Sequence, residues 1–364
     1  MTAPRREARI RLDALASNVE TVARLVAPAH VMAVVKADAY GHGALAVART
    51  ALDAGAEWLG VADLGEAIAL RDAGIGAPVL AWLHAAAPDF AAAADAGIDV
   101  GVSTLAQLDA AADAGATVHL KLDTGLSRNG FAPRDAPAAF AHAARLERAG
   151  RLRVRGVMSH LSGTSPLDDA AQRDAFHAAL GEAEAAGLEP ELRHLASSLG
   201  ALTDPGARFD LVRIGIAMYG LAPGDAVSPP ALGLHPVMRL VTEVAAVRRV
   251  PEGTGVSYGY THRTARETTL ALVPLGYADG IPRAASGALE VAIGGRLHAQ
   301  VGRIAMDQFV VDVGDHDVKP GDEVVVWGDP VEGEPGVDAL ADATGTIGYE
   351  LVTRIGPRVG RVDA

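Results

Sequence analysis

Between residues 30 and 220 the apolar positions alternate between two periods. Short, mostly apolar runs rich in Val, Ile and Leu are each followed by an Ala-rich stretch in which apolar residues recur every three or four positions. The first kind reads as a buried strand, the second as an amphipathic helix. The strand runs are VMAVVK (31–36), WLGVAD (58–63), PVLAWL (78–83), DVGVS (99–103), TVHLKLD (117–123), VRGVMSH (154–160), LRHLAS (192–197) and FDLVRIGIAM (209–218). Four helical runs close on the same tripeptide: Asp53-Ala54-Gly55, Asp72-Ala73-Gly74, Asp95-Ala96-Gly97 and Asp113-Ala114-Gly115. Two more close on Arg148-Ala149-Gly150 and Ala185-Ala186-Gly187. Each glycine stands where a helix ends in the left-handed conformation, so these repeats are caps and not sites. Eight strands alternating with helices at roughly twenty-residue spacing predict a closed (β/α)8 barrel of the TIM type. The competing architecture, an open doubly wound sheet, calls for a GxGxxG after its first strand, and none is present there.

From about residue 235 the helical rhythm stops. MRLVTEVAAVRRV, TTLALVPLGYADG, LEVAIGG and GDEVVVWGDP alternate in the strand manner between Pro/Gly turns. They predict a mainly-β second domain, interrupted by a helical pattern over 337–345. The fold class is therefore α/β: a barrel over 10–235, then a β-rich domain over 236–364, with 1–9 as an N-terminal strand joining the second domain. APGDAVSPPALGL (222–234) reads as the linker.

Composition narrows the chemistry. A length of 364 residues suits two domains. Aromatics are only 4%, so small side chains must do the packing and helices lie close to the sheet. A net charge of −13 argues against nucleic acid or an anionic membrane as main partner. With no cysteine, disulfides, thiolate nucleophiles and Cys-ligated metals are excluded. No secretory signal and no long uncharged apolar run are visible, so a cytoplasmic protein is expected.

Barrels of this type carry their active sites at the C-terminal ends of the strands. There the sequence sets Lys36 and Tyr40 after the first strand, and Lys121, Asp123 and Arg128 around the fifth. Ser159-His160 follow on the sixth, His194 to Ser198 on the seventh and Arg213 to Ile216 on the eighth. A lysine ending an apolar run must either reach water or be bound to something, and a desolvated lysine is the kind that forms Schiff bases. Loops after the last two strands often hold phosphate, Ser198 opens a helical run, and Gly215 permits close backbone approach. Lysine and phosphate site together suggest pyridoxal 5'-phosphate (PLP). Two-metal hydrolysis through Lys121 and His160 is the rival, but no HxH pair or HExxH exists, and no metal is expected.

These residues lie in motifs that resemble the alanine racemases, PLP enzymes of fold type III. The matching segments are VVKADAYGHG (34–43), KLDTGLSRNG (121–130), HLASS (194–198), RIGIAMYG (213–220), VSYG (256–259), GYADGIPR (276–283), GRIAMDQ (302–308) and GTIGYE (345–350), in that order. The resemblance implies interconversion of L- and D-alanine, with D-alanine serving peptidoglycan synthesis. It implies a Schiff base of PLP on Lys36. Tyr40, Ser198, Gly215, Ile216 and Tyr349 would hold the phosphate, and Arg213 would face the ring nitrogen. Two bases would serve the two faces of the substrate: Lys36, and Tyr258 of the partner subunit in a homodimer with shared sites. A free phenol titrates near 10, so Tyr258 needs help, which His160 and Arg213 would supply. Lys121 matches a lysine often carbamylated in the family, which would pair with Arg128. Arg128 and the Met306 N–H would take the substrate carboxylate, and Arg283, Arg303, Ile347 and Tyr349 would line the channel.

Ser197, Ile214 and Gly348 depart from the family's frequent Asn, Pro and Asn. Asp123 and Asp307 read as structural, and His42 as a loop hydrogen-bonder. Two related classes fit less well. PLP decarboxylases of this plan use a partner-subunit cysteine, and the PLP-binding homeostasis proteins consist of the barrel alone.

Overall fold

The computed structural model describes residues 4–364. Eight parallel strands form the barrel: β2 (His30–Val34), β3 (Trp58–Val61), β4 (Val79–Ala81), β5 (Asp99–Val102), β6 (Thr117–Lys121), β7 (Arg153–Met158), β8 (Leu192–His194) and β9 (Leu211–Ile214). Each pairs with the next in sequence, and β9 pairs back onto β2. Between β8 and β9 the ring closes through Asp210 N–H to the Arg193 carbonyl (3.0 Å) and Arg213 N–H to the Ala196 carbonyl (3.1 Å). The six predicted cap glycines all have positive φ, from 61° at Gly97 to 101° at Gly55. Several helices open on a side-chain cap, as at Asp63 (from Glu66 N–H, 3.0 Å) and Thr104 (from Gln107 N–H, 3.2 Å).

Every predicted strand overruns at its C-terminal end. The run 209–218, for example, is a strand only over Leu211–Ile214, after which Ile216–Tyr219 form a 3-10 turn. Side-chain character alone cannot locate the point where a barrel strand leaves the ladder. As a result Lys36, His160 and Gly215 lie just beyond the strands, and Ser198 opens the short helix Ser198–Thr203.

The first of those loops is unusual. Ala37, Asp38, Ala39 and Tyr40 have φ of 52°, 52°, 53° and 55°, a left-handed turn without glycine. Each such residue costs about 1–2 kcal/mol. Neighbours over-determine it. Glu66 accepts from Ala37 N–H (2.7 Å), the Asp38 carboxylate from Ala44 N–H (2.8 Å), and the Asp38 carbonyl from Gly43 N–H (2.9 Å). His42 Nδ1 lies 3.0 and 2.9 Å from the Ala39 and Tyr40 carbonyls, and its ring stacks on Tyr219. Burial lowers His42 to about 4, so it stays a neutral donor to those carbonyls.

The second sheet has nine strands: β1 (Arg6–Ile10), β10 (Met238–Glu243), β11 (Ala246–Val250), β14 (Thr268–Val273), β15 (Glu290–Ile293), β16 (Arg296–Val301), β17 (Phe309–Gly314), β18 (Glu323–Trp327) and β19 (Gly360–Asp363). Their order is β11-β14-β17-β16-β15-β18-β10-β1-β19. Strands β12 (Gly255–Val256) and β13 (His262–Arg263) make a separate hairpin. β1 thus lies inside this sheet, antiparallel to β10 and parallel to β19. The predicted helix near 337–345 is present as Val337–Thr344, and a second, Gly348–Thr353, follows it. That second helix packs on the left-handed turn: a Cβ at Gly41 would sit 2.4 Å from the Val352 carbonyl oxygen. Arg361 donates to the Gly41 carbonyl (3.0 Å) and to the carbonyls of Ile355, Gly356 and Val359. Buried Asn18 ties the barrel's first helix to the linker through the Met218 and His235 carbonyls (3.0 and 2.7 Å). Among the described residues no helix is long and apolar enough to cross a membrane.

Gly41→Ala should therefore combine backbone strain at φ 79° with a backbone clash. We expect a loss of at least about 2 kcal/mol in urea unfolding. An unchanged midpoint would show that the turn is not braced by the second domain.

Candidate active site

The mouth of the barrel collects positive charge. Lys36 follows β2 and is partly buried; its amine makes no hydrogen bond or ion pair among the described residues. Burial lowers its pKa, as do Arg128 and Arg213, while Glu66 opposes them. Lys121, the last residue of β6, is 7% exposed and likewise has no ion pair. Its pKa is lowered to about 7 by burial, then by Arg213 and Arg128, against a smaller pull from Asp123. Asp123 is occupied elsewhere, accepting from Gly125 N–H (3.0 Å) and Ser127 N–H (2.9 Å), the structural part expected of it. Arg128 is exposed beside them.

Arg213, on β9, is buried and meets no carboxylate among the described residues. It donates to the carbonyls of Ser159 (2.7 Å), His194 (3.1 Å) and Leu195 (2.9 Å), to His194 Nδ1 (3.0 Å) and to His160 Nδ1 (3.0 Å). Burial and Arg128 lower it to about 10, which leaves it charged at neutral pH. A guanidinium only donates. His160 Nδ1 must therefore be the acceptor, and its proton resides on Nε2. Burial, Arg213, Lys121, Arg128 and Lys36 together lower His160 to about 2, so it stays neutral.

The opposite rim is built from backbone. Ser198 Oγ accepts from Gly215 N–H (3.0 Å) and Ala217 N–H (3.4 Å), while Ile216 N–H has no partner among the described residues. A Cβ at Gly215 would lie 2.4 Å from the Tyr40 hydroxyl, so glycine is required there. Tyr40 packs at 5.0 Å from the Tyr219 ring and 6.1 Å from the Tyr349 ring. Burial raises both Tyr40 and Tyr349, the latter to about 12 with help from Asp338. Gly348 makes room for that carboxylate, since a Cβ would come 2.2 Å from Asp338 Oδ1. Asp338 in turn accepts from Ala222 N–H (3.1 Å). This accounts for the departure at 348. Ile214 ends β9, and Ser197 forms a bridge to Arg213; neither side chain makes a hydrogen bond.

The structure thus gathers Lys36, Tyr40, Lys121, Arg128, His160, Ser198, Arg213, Gly215, Ile216 and Tyr349 at one mouth. Tyr258 and Met306 form a second group on the β-rich domain. Tyr258 is 69% exposed and its hydroxyl makes no hydrogen bond among the described residues. Ser257 Oγ donates to the Arg303 carbonyl (2.7 Å), joining the Tyr258 turn to the loop that carries Met306. Met306 is exposed and its N–H has no acceptor among the described residues. Ile347, Arg283 and Arg303 are exposed as well. Asp307 pairs with Arg358 (2.7 Å), a structural role as expected.

Sequence reading missed what lies under the mouth. His194 Nε2 contacts His119 Nδ1 (2.9 Å), His119 Nε2 contacts Asp99 (3.1 Å), and Arg155 holds Asp99 through both oxygens (2.9 and 2.8 Å). The signal was strand parity: His119 and Lys121 are two apart on β6 and share its inward face. Thr124 and Ser159, at the ends of neighbouring strands, are hydrogen-bonded at 2.8 Å, a contact that sequence reading did not supply.

The family model for the alanine racemase N-terminal domain matches residues 10–223, and that for its C-terminal domain residues 237–363. The chain is 50% identical to the alanine racemase of Thermobifida fusca over 98% of this chain and 97% of that one. It superposes on the crystal structure of alanine racemase from D-cycloserine-producing Streptomyces lavendulae with a TM-score of 0.97 and 45% identity, covering 100% of this chain and 98% of that one. Alanine racemase from Bacillus anthracis, solved with bound L-Ala-P, aligns at a TM-score of 0.91 and 34% identity over 100% and 96% of the two chains.

The unmodified Lys121 amine carries a pH-dependent cost. Its folded pKa lies below the ordinary 10.5, so between about 7 and 10.5 the unfolded chain binds more protons and stability rises with pH. The penalty is full below pH 7. In CO2-free buffer Lys121→Met should exceed the unsubstituted chain in stability by a few kcal/mol at pH 6.5. By pH 9.5 the gap should have narrowed. A constant gap in urea unfolding at both pH values would contradict the lowered pKa.

Proposed function

The chain belongs to the alanine racemase family, and from that premise we propose how it interconverts L- and D-alanine. Lys36 and Tyr258 of the partner subunit are the two catalytic bases, and PLP is the cofactor. The observation that carries this reading is the Lys36 amine: partly buried, without a carboxylate, and lowered by two guanidinium groups.

The donor set suits PLP. The unpaired Lys36 amine fits its aldehyde. Ser198, Ile216 N–H and the Tyr40 and Tyr349 hydroxyls fit its phosphate, and the close approach at Gly215 keeps that cradle open. Arg213 would face the ring nitrogen, where a guanidinium does not give up its proton. When bound, PLP holds the amino acid's nitrogen and accepts the electron pair left as the Cα proton departs.

The chain's own residues move the proton. The lowered pKa makes more of the Lys36 amine available to take a proton from Cα on one face. On the other face the partner's Tyr258 gives one back, and the roles reverse for the other enantiomer. His160 carries its hydrogen on Nε2, because Nδ1 is held by Arg213. That N–H can donate to the phenol oxygen of the partner's Tyr258, stabilising the phenolate and easing its work as a base. Within one chain, Tyr258 and Met306 make no hydrogen bond to the barrel mouth. Their shared, exposed position on the β-rich domain supports a homodimer in which both act on the neighbouring site. Met306 N–H and Arg128 would then receive the substrate carboxylate. A neck formed by Tyr349 and the partner's Tyr258 favours a methyl side chain.

Lys121 is suited to carbamylation. A buried amine with a pKa of about 7 is largely neutral near pH 7.5 and free to add CO2. The resulting anion would pair with Arg128 and offset the crowding of cations. A cytoplasmic location and the supply of D-alanine for peptidoglycan complete the proposal.

Incubation with L-alanine in deuterated water should yield D-alanine with deuterium at Cα. Ethylamine, or no exchange, would overturn the reading. Borohydride treatment should leave a stable pyridoxyl group on Lys36. Tyr258→Phe should lower kcat by at least about 100-fold. Mixed Lys36→Ala and Tyr258→Phe dimers, each inactive alone, should recover about a quarter of full activity, because each hybrid holds one intact shared site. No recovery on verified subunit exchange would mean that both bases come from one chain.

A further inference from the structure

We propose that Asp99 and His119, which lie deep in the barrel beneath the mouth, are positioning residues for the reaction, acting through His194 on Arg213. The link to catalysis rests on the reading of Arg213 given above; the geometry stands without it.

The line of hydrogen bonds runs one way. Arg213 can only donate, so His194 Nδ1 accepts (3.0 Å) and its hydrogen is on Nε2. That hydrogen points at His119 Nδ1 (2.9 Å), which must then be bare, leaving the His119 hydrogen on Nε2. His119 Nε2–H points at the Asp99 carboxylate (3.1 Å). Asp99 begins β5, at the far end of the barrel, where Arg155 fixes it through both oxygens. Any link reversed would set two N–H groups against each other in the core. Thus the guanidinium at one end and the carboxylate at the other require the same tautomer of both rings, and Asp99 anchors the far end of the line that receives Arg213. His194 is fully buried and well below its ordinary pKa, through burial first and then Arg213, His119 and Lys121, so its ring is held neutral.

The barrel is shaped around this line. His119 is paired across to Gly156 on β7, and the ladder slips register between Val118 and His119. A Cβ at Gly156 would lie 2.3 Å from His119 Nδ1, so only glycine admits the imidazole. The Trp58 ring meets His119 edge-on at 5.7 Å, and Arg155 lies over the same ring at 5.7 Å. Both imidazoles are 0% exposed, so no solvent pathway replaces their partners.

The test uses the full chain with its cofactor, labelled with 15N-histidine. Long-range 1H–15N spectra at neutral pH should show His119 and His194 both as the Nε2–H tautomer, with His194 unchanged from pH 5.5 to 9. A proton on His194 Nδ1, or titration of His194 in that range, overturns the proposal without reference to activity. Asp99→Ala removes the terminal acceptor. It should shift or broaden the His119 Nε2–H signal, leave His194 as the Nε2–H tautomer that Arg213 requires, and lower kcat by about tenfold, with KM for alanine changed less than about twofold. Asp99→Asn keeps an acceptor oxygen. It should keep the tautomers and hold kcat within about threefold. Asp99→Ala with an unaltered His119 signal and unaltered kcat overturns the proposal. If Asp99→Ala does not fold, Asp99→Asn decides: a tenfold loss of kcat with unaltered tautomers overturns it. Failure of the protein to racemise alanine would refute the functional reading and leave the tautomer result standing.

Discussion

Lys36, Lys121 and Arg213 share one end of a closed barrel, with Arg128 beside them and no carboxylate paired to any of the four. In water such a gathering would be cheap; under burial each charge raises the cost of the next. The lowered pKa values of Lys36 and Lys121 follow from burial first and then from that crowding, as does the neutrality of His160. The chain as a whole carries a net charge of −13, so the positive mouth is a local construction. Its natural complements are a phosphate, a substrate carboxylate and an anionic form of Lys121. One electrostatic deficit thereby underlies the proposals for cofactor, substrate and modification together.

The lysine is held in that position by strain that lies next to it. Four residues without glycine turn left-handed immediately after Lys36, a conformation that local preferences disfavour at every step. It survives because bonds from Glu66, Asp38 and His42 fix it from the barrel side, and Gly41 is clasped by Arg361 and the Val352 carbonyl from the other. The second domain is therefore part of the active-site scaffold even where it contributes no reacting group.

How much of this could be read from residues alone follows the range of the forces involved. The cap glycines were legible because a helix end needs only its own last turn. The barrel was legible because eight strand-helix periods have few other ways to pack. Lys36, Arg213 and Ser198 stood out by motif and by their place at strand ends. The left-handed turn left no trace, since Ala37 to Tyr40 have no preference for it and their partners lie far along the chain. Strand ends overran because Val, Ile and Met favour strands wherever they fall. His119 was visible only as a parity match to Lys121, and Asp99 not at all, since its meaning depends on a bulge and on the glycine opposite. Gly348 looked like a loss until Asp338 was seen to occupy the space.

Strand β1 precedes the barrel yet sits between β10 and β19, the strands that open and close the other sheet. The barrel is in this sense threaded in as a long insertion between neighbouring strands of a single β layer. During synthesis Arg6–Ile10 stays without partners while more than 200 residues are added before β10 emerges, and its parallel partner comes later still. The barrel can close early; the layer that braces its lysine cannot. Severing the polypeptide at the connection near residue 230 would not release two autonomous halves, because one of them would carry away a strand that belongs to its sibling.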